Sequence, residues 1–81
     1  MEQPSEASGV ETLRYLAVFE PTETGISVYV PDLPGCVSTG ATRAEAVANI
    51  REAIRFHVEG LRENHLPVPP PGSWTGEIDI A

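Results

Sequence analysis

Residues 31–64 read PDLPGCVSTGATRAEAVANIREAIRFHVEGLREN. The fold turns on the change within this stretch from a proline-rich connector to an alanine-rich helix. Pro31 and Pro34 fix φ and remove two backbone donors. The residue before each is pushed toward extended geometry, and Gly35 tolerates angles that other residues avoid. Residues 31–36 are therefore a stiff, non-helical link expected to hold Asp32 and Leu33 in a fixed presentation. Thr42-Arg43-Ala44-Glu45 then has the form of a capping box, in which Thr42 accepts from an orphan amide and Glu45 reaches back to the Thr42 amide. Val47, Ile50, Ile54, Val58 and Leu61 follow at spacings of 3, 4, 4 and 3, which is one helical face. Glu52 with Arg55, and Glu59 with Arg62, can pair across a turn on the outer side. Asn64 and the run Pro67, Pro69, Pro70, Pro71 and Gly72 end the helix and form a stiff return path.

Before the connector, residues 12–20 alternate. Leu13, Tyr15, Ala17 and Phe19 lie on one face, with Arg14, Leu16, Val18 and Glu20 on the other. Residues 21–25 are a turn by residue type. In residues 26–30, Ile26, Val28 and Val30 alternate with Ser27 and Tyr29. Residues 36–40 make a short third strand. After the proline run, residues 74–80 alternate again, with Ile78 and Ile80 flanking Asp79. The expected order is β-β-β-α-β, an α+β sandwich with one helix on one face of a mixed four-stranded sheet. A right-handed crossover sets the last strand parallel to its neighbour, the first. One helix covers one face, yet Leu16, Val18 and Tyr29 are apolar on the other, which implies a second subunit or a partner. Leu16 and Val18 are the expected oligomer contacts, in a homodimer or tetramer.

The 81 residues allow one domain. Residues 1–11, polar and carrying Pro4 and Gly9, read as a disordered tail, and residues 12–81 as the folded unit. The single cysteine, Cys36, forms no intrachain disulfide and suits a reducing cytoplasm. No stretch has the length and apolarity of a membrane span, and no signal-peptide pattern opens the chain. Twelve acids against five bases give a net charge of −7, and every base is arginine. Duplex binding calls for a basic patch, so direct nucleic-acid contact is not expected. An acidic domain suits a basic partner, which it meets faster by electrostatic steering.

The ordered set of residues 15–20, residues 25–30, Pro31-Asp32-Leu33-Pro34-Gly35-Cys36, Gly40-Ala41-Thr42, Glu45-Ala46, Asn49, Glu52-Ala53 and Pro67-Val68-Pro69 resembles the HicB-like antitoxin domain over residues 13–80. The resemblance implies a partial ribonuclease-H-like fold. It also implies a protein-interaction function, in which the domain neutralises a small basic HicA-type toxin that cleaves messenger RNA by binding and covering it. Asp32, as a charge contact, Leu33, as an apolar anchor, and Tyr29 are the candidate partner-binding residues. Many members of that family carry a C-terminal DNA-binding segment. Only Ala81 follows the last expected strand, so a chain without such a segment is the expectation here.

A small enzyme or ligand-binding domain on the same scaffold is the competing reading. A ribonuclease H site needs converging carboxylates to hold two metal ions. Glu20, Glu52 and Asp79 are scattered over the first strand, the helix and the last strand, so no catalytic residue, metal or cofactor is expected. Cys36 with His57 or His65 would be a thiol site. The simpler reading makes Cys36 a small buried hydrophobe, His57 a half-buried helix residue and His65 a cation at the helix end. Trp74 reads as a lid over the sheet.

Overall fold

The Thr42 half of the capping box forms as expected, while Glu45 reaches one residue further back than expected, to the Ala41 amide in place of the Thr42 amide. Thr42 is extended, and its Oγ1 accepts from the Glu45 amide at 3.1 Å, while Glu45 Oε1 accepts from the Ala41 amide at 2.6 Å. From this start α1 runs over Arg43–Glu63. Its C-terminus closes as a Schellman motif. The Leu66 amide donates to the Leu61 carbonyl at 2.9 Å and the His65 amide to the Arg62 carbonyl at 3.1 Å. His65 takes the left-handed position that glycine usually fills, at φ 57°.

The computed structural model describes residues 12–81, and the expected tail of residues 1–11 lies outside them. Three strands precede the helix: β1 (Val18–Pro21), β2 (Ile26–Tyr29) and β3 (Val37–Gly40). They form an antiparallel sheet in the order β1-β2-β3. The register runs Val18↔Tyr29↔Val37, Phe19↔Val28↔Ser38 and Glu20↔Ser27↔Thr39 across the three strands. Residues opposite one another share a face, so Val28 and Phe19 look toward the helix while Tyr29, Val18 and Val37 look away. Between β1 and β2 the Thr22 amide donates to the Gly25 carbonyl at 2.8 Å, and Thr22 Oγ1 accepts from the Gly25 amide.

The first strand is shorter than its alternation implies. Residues 12–17 have no ladder with β2, because β2 ends where the chain turns into the proline connector. Leu13, Tyr15 and Ala17 still pack on the core, so the alternation marks a buried face without hydrogen-bonded pairing. Residues 66–81 contain no strand, and the described sheet is therefore three-stranded and antiparallel.

The core comprises Val28, Val30, Leu33, Cys36, Ala46, Ile50 and Val58. Fully burying one such aliphatic side chain contributes about 1.5–3 kcal/mol, against under about 1 kcal/mol for an exposed ion pair. The Glu52–Arg55 pair, at 2.8 Å and exposed, is thus a minor contributor. It is the one ion pair among the described residues, and Glu59 and Arg62 stay apart. The buried helical face runs through Ala46, Ile50 and Val58, and Val47 is left 39% exposed. The cause is the placement of α1, which packs over β3 and β2 and leaves the β1 side of the helix open.

Candidate functional site

The connector folds back on itself in two tight turns. The Leu33 amide donates to the Val30 carbonyl at 3.0 Å, the Cys36 amide to the Leu33 carbonyl at 3.0 Å, and the Val30 amide to the Cys36 carbonyl at 3.1 Å. In the second turn Pro34 stands at the position that favours proline, and Gly35, at φ 86°, at the one that favours glycine. This path brings Val30, Leu33 and Cys36 to one side, and all three are buried. Leu33 is fully buried. The expected display of Leu33 as an apolar anchor is therefore corrected: the turns aim its side chain into the core. Burial also raises the Cys36 thiol pKa, as befits a small hydrophobe.

Asp32 points the other way and is already occupied. Its Oδ2 accepts from the Gly72 amide at 2.8 Å and the Ser73 amide at 2.9 Å, and its Oδ1 from the Ser73 hydroxyl at 2.9 Å. Those donors, the Gly72 amide first, hold the carboxyl below its ordinary pKa. In place of a free charge contact, the structure gives Asp32 a clamp on the chain returning from the helix. Tyr15 supplies a second clamp, its hydroxyl donating to the Pro69 carbonyl at 2.6 Å. Partial burial raises the Tyr15 pKa, opposed by the Arg62 charge. Composition and spacing signalled neither clamp, since the partners lie 40 to 54 residues apart.

The face of the sheet opposite the helix brings two of the expected residues together. Val18, Tyr29 and Val37 stand in one cross-strand row, with Glu20, Ser27 and Thr39 in the next accessible row of that face. Tyr29 is 40% exposed and Val37 63%. Val37 was missed as a site residue, although its place just after the inward Cys36 marks it as outward-facing. Leu16, half-buried, lies apart from this row, beside Arg14, Tyr15 and residues 73–75. Trp74 is exposed, so it is no lid over this chain's sheet: the Asp32 clamp carries residues 72–73 past the connector and leaves the indole in water.

The remaining chemistry-bearing residues stay dispersed. Glu20 lies in β1, Glu52 on the outer side of α1 and Asp79 in the exposed C-terminal stretch. His57 is half-buried in α1. Among the described residues no three acidic, histidine or cysteine side chains gather as a metal site. None of their helices is long and apolar enough to cross a membrane.

Residues 15–78 match the model of the HicB_like antitoxin of bacterial toxin-antitoxin systems. The chain is 34% identical over 70 residues to Antitoxin HicB 2 of Photorhabdus laumondii, covering 86% of this chain and 50% of that one. It is 46% identical over 55 residues to an uncharacterized 14.9 kDa protein of Haemophilus phage HP1, covering 68% and 41%. A UPF0150 protein of Thermoplasma acidophilum is 40% identical over 58 residues, covering 70% and 84%. The chain thus spans half or less of the first two relatives and most of the third. A solved structure titled HicA3 and HicB3 toxin-antitoxin complex is similar at a TM-score of 0.65 and 35% identity, over 73% of this chain and 70% of that one.

Proposed function

Because the chain belongs to the HicB-like antitoxin family, we propose that it neutralises a small basic toxin of the HicA type by binding and covering it, in the cytoplasm and without turning over a substrate. The observation that carries this reading is the outward-facing row of half-buried Val18 with exposed Tyr29 and Val37, and Glu20 beside it. A contiguous apolar strip with an acidic margin on a sheet face is a docking surface in search of a cover. A tyrosine at its centre is the residue type that dominates such contacts. The net charge of −7 complements a basic partner and speeds the encounter.

The test is co-expression with a HicA-type toxin, followed by binding measurements on the purified pair. The parent chain should restore growth. Tyr29→Ala should weaken binding by more than about tenfold, the range of an interface hot spot, and Val37→Glu should abolish rescue while leaving the helical signal intact. Raising salt should weaken the complex, because charges are screened over about 10 Å at 0.1 M. Full rescue by both variants would remove this face from the mechanism. Metal-dependent RNA cleavage by the pure chain, lost on mutating Glu20 or Asp79, would favour the enzyme instead.

A further inference from the structure

Residues 74–81 form an arm that the other described residues do not cover. Trp74, Ile78 and Ile80 are 83%, 80% and 85% exposed, and every residue from 70 to 81 is exposed. Single apolar side chains in water need no explanation. Three of them at even positions, with Glu77 and Asp79 between, are the alternation of a half-buried strand that lacks its sheet. The root of the arm is held by the Asp32 clamp at Gly72 and Ser73. Residues 73–75 pass beside residues 14–16, and the rest stands clear.

The same fold has a vacancy of matching chemistry. A groove of about 440 Å³ lies between residues 13–19 and the first half of α1, with Phe19, Val47 and Ile54 in its wall and Arg14 and Arg51 among its lining. It exists because α1 sits over β2 and β3, so the outer edge of β1 has no neighbour among the described residues. An unpaired edge beside an apolar slot is where a strand adds. None of residues 76–81 lines this groove in its own chain.

We propose that residues 74–80 of one copy fill the groove of a second copy, and that the exchange is reciprocal, so that two chains each receive the strand missing beside β1. Ile78 and Ile80 meet the apolar wall, while Glu77 and Asp79 lie toward Arg14 and Arg51. The charges select the occupant: a basic partner would set like charges against the two arginines, whereas the acidic arm neutralises them. A two-fold arrangement satisfies both arms at once and closes the assembly. The inference does not rest on toxin binding, which uses the opposite face of the sheet.

The test uses the full chain and two variants altered at exposed positions, so that folding is spared. Ile78→Asp/Ile80→Asp disables the arm, and Val47→Glu disables the groove. Sedimentation at high protein concentration should give a dimer for the parent and half that mass for each variant, with the helical circular dichroism unchanged. Mixing the two variants should restore a one-to-one dimer, because an intact arm from one then meets an intact groove on the other. A symmetric contact through the sheet face predicts no such complementation. A monomeric parent, an arm variant that remains dimeric, or a mixture that stays monomeric would each overturn the proposal, and none of these bears on toxin rescue.

Discussion

Asp32 illustrates how a residue chosen for one task can serve another. Between two prolines it reads as a displayed charge, yet three donors from residues 72 and 73 converge on its carboxylate. Its pKa is lowered when folded. The clamp is therefore complete above the ordinary carboxylate value of about 4 and is lost as pH falls through the lowered one. The Gly72 and Ser73 amide resonances should titrate together, with one midpoint below that ordinary value, and Asp32→Asn should abolish the shared step. His65 offers the opposite case, a local strain that can be relieved. A side chain in the left-handed region is unfavourable by roughly 1–2 kcal/mol, and glycine removes that strain at some loss of chain entropy. His65→Gly should raise the denaturant midpoint by an amount equivalent to about 0.5–1 kcal/mol. An unchanged midpoint would mean that the Schellman closure is not strained.

The elements divide according to how locally they are determined. The helix could be read to its ends, because Thr42, Glu45 and Asn64 act within one turn of themselves. The hairpin turn and the alternation of Ile26, Val28 and Val30 were legible for the same reason. The extent of β1 was not, since it depends on where β2 leaves the ladder. The packing of α1 on β3 introduces a demand that residue type alone did not announce. A Cβ built on Gly40 would lie 2.4 Å from the Ala46 amide nitrogen and 2.7 Å from the Ala46 Cα, both backbone atoms that cannot step aside. Gly40→Ala should therefore destabilise the chain by roughly 1–3 kcal/mol, the usual range for overpacking, and lower the thermal midpoint. Gly60→Ala, with nothing within 4 Å of the added carbon, is the control and should be neutral or mildly stabilising in the last turn of α1.

At the scale of the whole molecule, the family and the order β-β-β-α were legible in the sequence, whereas the site was legible only in part. Tyr29 and Val18 were recognisable as outward-facing from alternation, and the structure aligns them with Val37 across three strands. Leu33 was misread because two consecutive turns decide its direction, and turn geometry depends on hydrogen bonds that reach back to Val30. The clamps of Asp32 and Tyr15 join segments far apart in sequence, where no local pattern reports them. The buried Cys36 has one more consequence. Its thiol is enclosed by the core, and burial keeps it from ionising, while only the thiolate reacts with oxidants and alkylating agents. With a single sulfhydryl in the whole chain, chemical modification requires the connector to open, so its rate is lowered by the small open fraction at any reagent concentration. Damage at this atom therefore falls first on molecules whose native packing has opened, and its extent reports how large that opened population is.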